Sequence, residues 1–411
     1  MKAGWKTVKL GERFKIRSSK RVLQSEWKTE GVPFYRGREV TILSKSGVVD
    51  NELFISEGHF KELSAKYGVP AAGDIILTAI GTIGNAYVVK PNDRFYFKDA
   101  SVLWITACAE YDSNFVNYWI KSDHFKGQLD SGNGATVDTL TLDKLKSIEI
   151  PLPPPAEQKR IVALLDEAFA GIDEAKAKAV ACQENSKLIF SNYLEAVFEK
   201  KGPDWAEVAI SELCDVKHGY AFEGADFSSD VPDGNPLVVT PGNFTEDGKL
   251  CFNSKNSKRL RSNPPAEFKF NIGDLVVVMT DLSSQMKILG KPAFVETDDL
   301  LHNQRIGRLI FTRERVEKRL VYFFMMTQGY LKNIKITSTG TMVKHTAPKR
   351  ITSNLISFPE NRAKQLAIIA KLDELRKETQ RLAKIHEDKK RALIELKSSL
   401  LSQAFSGELT A

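Results

Sequence analysis

The sequence is poor in the features that mark secreted, zinc-binding or membrane-spanning proteins. Its four cysteines, Cys108, Cys182, Cys214 and Cys251, form no Cys-x-x-Cys pair, so they indicate neither a disulfide framework nor a zinc site. The longest apolar run, residues 320–326, is far shorter than the roughly 20 residues that a membrane-spanning helix needs. No charged-then-apolar leader precedes Trp5. We therefore expect a cytoplasmic protein without membrane contact.

Motifs for catalysis are also missing. There is no G-x-x-x-x-G-K-[ST] loop for ATP and no H-E-x-x-H motif for a metal. Asn263-Pro264-Pro265 supplies three letters of the N-P-P-aromatic motif that holds a flipped adenine, but Ala266 in the fourth place cannot stack on a base. We interpret that segment as a turn, and His218 and His302 as part of a binding loop or strand end. The sequence predicts no enzyme activity, no cofactor and no metal.

What the sequence does contain is a long internal repeat. One set of residues recurs at an offset of 200: Trp5, Val8, Leu10, Glu12 and Gly73-Asp74-Ile75 return as Trp205, Val208, Ile210, Glu212 and Gly273-Asp274-Leu275. Another recurs at an offset of 207: Gln158, Ile161, Leu165, Asp166, Ser191, Leu194 and Phe198 return as Gln365, Ile368, Leu372, Asp373, Ser398, Leu401 and Phe405. A period near 200 is too long for a solenoid or propeller unit, so each copy should be a domain followed by a long helix.

Each domain is predicted to be of the α+β class. In the first copy, residues 74–80, 85–89 and 101–105 have strand length and are separated by turns, while residues 112–125 have helical spacing. The second copy repeats this pattern with strands at 275–279, 293–295 and 306–311 and a helix at 316–326. We expect domains at 1–155 and 203–359, with long helices at 156–202 and 360–411.

The long helices are predicted to pair as an antiparallel coiled coil. Pro151 and residues 153–155 form an extended leader before the first helix, since proline is excluded from a helix interior. Leu188, Phe190, Leu194 and Phe198 fall outside the heptad seams and predict an exposed interface. In the first helix, one heptad series is Leu165, Ile172, Ala179, Ser186 and Tyr193, and the other is Ile161, Ala168, Ala175, Cys182 and Ile189. In the second helix, the corresponding series are Leu372, Thr379, His386, Leu393 and Leu400, and Ile368, Leu375, Leu382, Lys389 and Leu396.

The order of the segments favours a cyclic, pseudo-twofold arrangement. Trp205 lies seven positions after Phe198, and six residues follow Phe405. If the C-terminus lies beside the N-terminus, the two halves are related by rotation. A tandem duplication without closure is the alternative. A twofold molecule suits a twofold or bipartite partner such as duplex DNA.

Charge is unevenly distributed although the formal net charge is only +7. Residues 1–38 hold eleven Lys or Arg against three Glu, and residues 318–359 hold seven Lys or Arg with no Asp or Glu. Basic stretches that also contain aromatic residues are what phosphate contact and base packing use. A solvated basic surface is the alternative interpretation of either stretch. The presence of a basic stretch in each copy favours nucleic-acid binding.

The chain resembles the specificity (S) subunit of type I restriction-modification systems. The resemblance covers the whole chain and is carried by IEIPLPPPAEQKRIVALLDE at the start of the first helix, LEAVF at its end, and LLSQAFSGEL at the end of the second. The Gly81-Thr82-Ile83-Gly84 turn looks like the core of a target recognition domain. The second copy departs from it, because residues 281–285 replace the Gly-rich turn.

The resemblance implies two target recognition domains that each read one half of a split double-stranded DNA sequence. It also implies long helices that set the spacing between them and dock methyltransferase (M) subunits, two of them, with motor-nuclease (R) subunits joining for cleavage. A specificity module of a type II-like system and a coiled-coil adaptor without a DNA role remain the alternatives. The residues predicted to contact DNA are Arg17, Lys20, Arg21, Tyr35, Arg36, Arg38, Thr82 and Asn85, and in the second domain Lys217, Tyr220, Asn243, Lys258, Arg259, Arg261, Gln285 and Lys287.

Overall fold

The computed structural model describes residues 4–129, 139–200, 202–223, 225–228, 235–261, 266–283 and 285–409, so Asn263-Pro264-Pro265 lies outside the described residues. Two compact units are present. The first unit comprises Met1–Val180 and Glu387–Ala411, and the second unit comprises Ala181–His386. Each unit therefore holds one domain together with part of each long helix.

The first unit has nine strands and six short helices among its described residues, and the first long helix begins in it. The strands are β1 (Lys6–Lys9), β2 (Ile16–Arg17), β3 (Val32–Tyr35), β4 (Phe54–Ile55), β5 (Ile75–Thr78), β6 (Ala86–Val88), β7 (Tyr96–Phe97), β8 (Val102–Ile105) and β9 (Glu149–Leu152). The helices are α1 (Leu10–Arg13), α2 (Gly37–Ser46), α3 (Glu57–Tyr67), α4 (Ser113–Lys121), α5 (Asp123–Gly127), α6 (Leu142–Ser147) and the long α7 (Pro155–Glu199).

The second unit follows the same plan. Its strands are β10 (Trp205–Ala209), β11 (Cys214–His218), β12 (Phe227–Ser228), β13 (Leu237–Val239), β14 (Arg259–Leu260), β15 (Leu275–Val278), β16 (Thr280–Asp281), β17 (Pro292–Phe294), β18 (Leu300–His302), β19 (Ile306–Phe311), β20 (Lys344–His345) and β21 (Leu355–Pro359). Its helices are α8 (Lys318–Met325), α9 (Gln328–Ile336), α10 (Pro348–Thr352) and the start of the long α11 (Arg362–Ser406).

The main sheet has the same strand order in both units. It runs β2-β8-β5-β6 in the first unit and β11-β19-β15-β17 in the second, with antiparallel neighbours throughout. The smaller sheets are built around one parallel pair, β3 with β7 or β13 with β18. In each unit the first strand also pairs with the last, β1 with β9 and β10 with β21. The sequence repeat is therefore a repeat of topology, and the α+β prediction is confirmed.

The repeated Gly-Asp pair anchors the central strand of each main sheet. Gly73 and Gly273 have φ of +88° and +86°, a conformation that glycine adopts without strain. The buried Asp74 carboxylate accepts hydrogen bonds from the Trp104 indole at 2.8 Å and from the Ala107 amide at 2.7 Å. In the second unit Asp274 instead pairs with Arg308 at 2.9 Å. This motif is structural in both copies.

The repeated glutamine joins each domain to its long helix. Gln158 accepts a hydrogen bond from the Asp112 amide at 2.7 Å and donates to the carbonyls of Glu110 at 2.8 Å and Pro153 at 3.0 Å. Gln365 makes the same three bonds, accepting from the Glu317 amide at 2.8 Å and donating to the carbonyls of Arg315 and Pro359 at 3.0 and 2.9 Å. Both side chains are buried.

Each long helix has 45 residues, which at about 1.5 Å per residue gives a length of roughly 67 Å. The first helix begins at Pro155 rather than at Ala156, because a proline in the first turn loses no helical hydrogen bond. No helix among the described residues is long and apolar enough to cross a membrane.

The two long helices pack against each other within each unit. In the first unit Leu165 and Ile172 of α7 share a core with Leu401 and Phe405 of α11, and Lys397 pairs with Asp173 at 3.1 Å. In the second unit the later part of α7 shares a core with Ile369 and Leu372, from the early part of α11. The pairing is antiparallel, as predicted.

The predicted seam is correct only for part of each helix. Leu165, Ile172, Ala179 and Ser186 are buried, but Cys182, Ile189, Tyr193, Lys389 and Leu396 are exposed. Leu194 is buried instead, with Phe190 and Phe198 packed beside it against α8, where their rings meet those of Phe323 and Phe324. These three residues are thus not the exposed interface predicted for them, because the domain helix covers that face. Leu188 alone of the four is exposed.

Candidate nucleic-acid interface

Of the residues predicted to bind DNA, Arg17, Thr82 and Asn85 lie at one edge of the main sheet of the first unit, and Lys217 lies at the corresponding edge in the second. β2 and β5 both run antiparallel to β8, which lies between them, so their carboxyl ends at Arg17 and Thr78 meet at the same edge. In the second unit β11 and β15 end at the equivalent edge, at His218 and Val278. We call this side of each sheet the loop edge, because the turns between strands β5 and β6 and between β15 and β17 start there.

In the first unit, one predicted contact residue packs on a neighbouring ring. The Arg17 guanidinium lies 3.5 Å from the centre of the Trp104 ring, and its Nη1 donates to the Tyr67 carbonyl at 3.4 Å. Lys20 is exposed, and its backbone amide donates to the Tyr96 hydroxyl at 2.9 Å. Of these two cations, only the Lys20 side chain extends into solvent.

The other predicted arginines of the first unit are paired with carboxylates. Arg36 pairs with the buried Glu39 at 2.8 Å, while Glu39 also accepts the Arg36 amide and so caps α2. Burial alone would raise the pKa of Glu39, but the hydrogen bonds from Arg36 outweigh it and lower that pKa. Two further ion pairs are Arg21–Asp99 at 2.9 Å and Arg38–Glu52 at 2.8 Å, the second fully exposed to solvent on both sides.

Tyr35 lies against the core. Its ring stacks on Phe95 with centroids 4.6 Å apart, and burial, assisted by the charges of Asp93 and Glu39, raises the pKa of Tyr35 to about 12. At the turn, Thr82 is exposed and its carbonyl accepts a hydrogen bond from Thr78, while Asn85 donates to the Thr41 hydroxyl at 3.1 Å.

In the second unit, Asn243 is placed where it supports the backbone. It is buried, its Oδ1 accepts from the Thr240 amide at 2.8 Å, and its Nδ2 donates to the Asn256 carbonyl at 3.1 Å. Each of Glu39 and Asn243 caps the turn that follows the central strand of its smaller sheet, β3 or β13. Asn243 therefore has no free group to present to DNA.

Five predicted residues of the second unit lie near strand ends or on the smaller sheet. Lys217 is exposed on β11, and Tyr220, exposed just beyond that strand, packs its ring against Phe222 and Phe268 with centroids 4.9 and 5.3 Å apart. Lys258 and Arg261 are exposed at β14, whereas the Arg259 guanidinium donates to the Asn235 carbonyl.

The Gly-rich turn of the first unit has a counterpart that the sequence concealed. The Gly84 amide donates to the Thr78 carbonyl at 3.1 Å, and the Gly290 amide donates to the Val278 carbonyl at 2.9 Å. Both glycines have positive φ, +85° and +78°. The connection is six residues longer in the second unit, since residues 79–85 correspond to residues 279–291. The second turn is thus an extension of the first, with its glycine retained.

The extension forms a loop that pairs with a short hairpin. β16 pairs with β20, Thr280 opposite His345 and Asp281 opposite Lys344, and His345 also bridges to Thr339. The buried Asp281 carboxylate accepts the amides of Ser283 at 2.7 Å and Ile288 at 3.0 Å, which fixes the loop. Gln285 and Lys287 lie on this loop and are exposed, with Lys287 3.6 Å from Glu246.

The hairpin is flanked by cations that the structure leaves without carboxylate partners. Lys332, Lys335, Lys344, Lys349 and Arg350, here called the cation group, form no ion pair with any described residue. Arg350 donates to the Thr339 hydroxyl at 3.2 Å and Lys344 to the Gly340 carbonyl at 2.7 Å, so both lie at the hairpin.

His218 and His302, which were assigned to a binding loop or strand end, have different environments. His302 is buried on β18, its Nε2 lies 2.8 Å from the Ile306 carbonyl oxygen, and burial lowers the pKa of His302 to about 4. His218 is exposed, 3.4 Å from the Gln304 carbonyl. Within the described residues, no group of three or more His, Cys, Asp or Glu side chains is arranged to hold a metal ion.

Comparisons with known proteins agree with this architecture. Residues 2–180 match the family described as the type I restriction modification DNA specificity domain. A putative type I restriction enzyme specificity subunit of Haemophilus influenzae is 32% identical over 164 residues, which are 39% of this chain and 40% of that protein. The type I restriction enzyme MjaVIII specificity subunit of Methanocaldococcus jannaschii is 23% identical over 359 residues, 82% of this chain and 78% of that protein. Residues 2–180 are thus similar to the DNA specificity domain, and most of the chain is similar to a type I specificity subunit.

A solved structure shows the same fold along the full length of this chain. That structure concerns complex assembly and conformational transition of the type I R-M system. Its matching chain is 18% identical, with a TM-score of 0.78, and the match covers 100% of this chain and 99% of that one. The Haemophilus match, in contrast, spans less than half of that relative's length.

The contact residues predicted from the sequence did not include the cation group. The signal was present, because residues 318–359 contain no Asp or Glu, yet the predicted contacts were chosen elsewhere. Ion pairing distinguishes the cation group from three of the predicted arginines. Arg21, Arg36 and Arg38 find acids far along the chain or one helical turn away, whereas the cation group has none within reach among the described residues.

Proposed function

We propose that this chain is the non-catalytic DNA-sequence-specificity subunit of a type I restriction-modification complex. Each domain reads one half of a bipartite target in double-stranded DNA through the turns at its loop edge. The long helices set the spacing between the two half-sites. The observation that carries the proposal is the cation group beside the paired loop and hairpin of the second unit, since unpaired Lys and Arg supply the phosphate contacts on which DNA affinity depends.

The common topology of the two units supports reading of two half-sites. Both units present a turn with a positive-φ glycine at the same edge of the same sheet, next to a second segment that bridges to it, Ile80 to Thr139 and Thr280 to His345. The turns differ in length and sequence, while the sheets that carry them share the same strand order. Such a scaffold can present a different set of side chains to each half-site.

The exposed apolar residues of the long helices support the docking of two methyltransferase subunits. Leu188, Ile189 and Tyr193 are exposed in the second unit, and Ile394 and Leu396 in the first. Apolar side chains grouped on a helix surface mark protein interfaces. We infer one M subunit for each unit, with motor-nuclease subunits joining the assembly for cleavage, and we expect two M subunits per chain in native mass spectra of the co-purified complex.

The DNA proposal is tested with the full chain, expressed together with the methyltransferase encoded beside it. Enrichment of a random duplex library should give a two-part motif with a fixed gap. Lys332→Ala and Lys349→Ala should each weaken binding and reduce the slope of log K against log salt by about 0.9, the value for one lost phosphate contact. The matched control is Lys371→Ala, an exposed lysine of the second unit that pairs with Glu374 at 2.8 Å and should leave the slope unchanged.

The alternatives give different results. Enrichment of no sequence, with partner binding that is independent of salt, would indicate a coiled-coil adaptor and overturn the proposal. A two-part motif combined with a single methyltransferase of different architecture would indicate a type II-like system.

A further inference from the structure

The loop and hairpin of the second unit carry apolar side chains at their tips, where solvent would ordinarily favour polar ones. Met342 is 83% exposed, Ile336 is 71% exposed and Leu282 is 66% exposed. Single exposed apolar residues are common on protein surfaces. These three, however, belong to adjacent segments, and we call them the apolar tip.

The register of the β16–β20 pair brings two members of the apolar tip to one end of the ladder. Leu282 directly follows Asp281, which lies opposite Lys344, and Met342 is two residues before Lys344. With about 3.3 Å per residue along a strand and about 4.8 Å between strands, a ladder continued by these residues would put their Cα atoms about 6 Å apart. Ile336 ends α9, three residues before Thr339 at the base of the hairpin.

Hydrogen bonds and a close contact fix the backbone that carries the apolar tip. The Asp281 carboxylate fixes the loop through the amides of Ser283 and Ile288, and the Ser338 hydroxyl lies 3.4 Å from the Met286 sulfur, which joins the end of α9 to the loop. Gly340 adopts a φ of +98° at the hairpin turn. The apolar tip therefore projects from a supported backbone, which reduces the conformational entropy that binding would cost.

The charge around the tip identifies its partner. All five cations of the cation group lie on the three segments that flank it, with Lys332 and Lys335 on α9, Lys344 on the hairpin, and Lys349 and Arg350 on α10. Acidic side chains are absent from residues 318–359. Unpaired cations on the segments next to apolar side chains match a DNA groove, where phosphates line the walls and base edges, including the apolar thymine methyl group, form the floor.

We propose that the apolar tip enters a groove of the DNA and contacts base edges in the half-site of the second unit, with Met342 and Leu282 determining specificity there. The inference rests on the proposed function and adds the residues that read the bases. The cation group holds the phosphates, and the apolar tip contributes selectivity through van der Waals contact and burial from water. The six-residue extension supplies Leu282, for which the shorter turn of the first unit has no counterpart.

The experiment separates base contact from phosphate contact in the full chain bound to its methyltransferase. Met342→Ala and Leu282→Ala should weaken binding of the enriched duplex roughly fivefold to tenfold, as expected for partial loss of a buried apolar contact. They should relax the motif at positions of one half-site only, and they should leave the salt slope unchanged. Lys349→Ala should do the reverse, reducing the slope while keeping the motif. Met342→Leu, which retains apolar volume, should restore most of the affinity.

The matched control is Ile272→Ala. Ile272 is 58% exposed, somewhat less than the 66% of Leu282, and belongs to the same unit, but it precedes β15 and so lies at the opposite edge of the sheet from Val278. Its replacement should change neither motif nor affinity. Because all these side chains are largely exposed, thermal unfolding should be the same for every variant.

The other possible outcomes each overturn the base-contact role of the apolar tip. If the wild-type chain enriches no sequence, the proposed function fails and this inference with it. If the wild-type chain enriches a motif that Met342→Ala and Leu282→Ala bind unchanged, only this inference fails. A parallel loss of affinity and salt slope would assign the tip to phosphate contact, and loss of methyltransferase binding with intact DNA motif would make it a protein interface; either result overturns the base-contact role.

Discussion

Single residues repeated in both copies have structural rather than recognition roles. Gln158 and Gln365 each satisfy one amide and two carbonyls between a domain and its long helix, and Asp74 and Asp274 each anchor a strand turn. Recognition of two different half-sites requires different side chains in the two units, whereas a shared fold requires the same structural residues in both. A residue shared by both copies is therefore a poor candidate for base contact.

The glutamines give a prediction for stability. Gln158→Leu leaves three buried backbone groups without partners, at roughly 1–3 kcal/mol for each group that stays dry. We expect the free energy of unfolding of the first unit to fall by about 3 kcal/mol, and Gln365→Leu to do the same for the second. Hydrogen exchange read peptide by peptide should place each effect in one unit. Gln403→Leu replaces an exposed glutamine on α11 whose side chain donates to the Ser399 hydroxyl, and this control should be neutral.

His302 gives a prediction for pH dependence. Its pKa is lowered to about 4 by burial in the folded protein, below the value near 6.5 of an exposed histidine. Between these values the unfolded state binds more protons, so stability is fully present above pH 6.5 and is lost as pH falls toward 4. Denaturant unfolding at pH 7 and pH 5 should show a larger acid-induced loss for the wild type than for His302→Gln. The exposed His218→Gln should behave as wild type, and equal losses in all three would refute the assignment.

At the scale of elements, periodicity predicted the long helices but not what covers each face. The first heptad series of α7 is buried as far as Ser186, beyond which Phe190, Leu194 and Phe198 pack against α8 while Ile189 and Tyr193 are exposed. Both faces of that segment are apolar in the sequence. A repeat of hydrophobic residues cannot distinguish a partner helix from a domain helix, because both present the same kind of surface.

Loop extensions were the other point at which the sequence was insufficient. Residues 281–285 seemed to replace the Gly-rich turn, whereas hydrogen bonding shows that Gly290 is its equivalent. The extension obscured the correspondence because alignment at a constant offset cannot place it. Ion pairs were equally hidden, since Arg21 and Arg38 meet acids that are 78 and 14 residues away in the chain.

The extension can be exchanged for the turn of the first unit. Replacing residues 280–289 by residues 80–83 removes six residues but keeps the strand end at Val278 and the bonds of Gly290 and Lys291. We expect the unit to fold with a loss of about 1–2 kcal/mol, the approximate worth of the lost β16–β20 bonds. The half-site of the second unit should lose its motif, while the other half-site is retained. A library enrichment that returns both half-sites unchanged would show that the extension reads no bases.

At the scale of the whole molecule, the boundary between the two units crosses both long helices, at Val180 and Glu387. If these helices set the gap between half-sites, four residues inserted at 177–181 and four at 384–388 lengthen the spacer by about 6 Å. Duplex DNA rises about 3.4 Å per base pair, so the preferred gap should grow by one or two base pairs with unchanged half-site sequences.

Helical phase decides which insertions are tolerated. Four residues turn an α-helix about 40° beyond a full turn, close to the rotation of one base pair in a duplex with 10 to 10.5 base pairs per turn. A two-residue insertion swings the downstream seam by about 200°, so that Leu372 or Leu401 would leave its core and the complex would lose DNA binding. Methylome sequencing of a host carrying the four-residue variant measures the gap directly. An unchanged gap with intact half-sites would mean that the methyltransferase subunits position the domains and that the helices follow them.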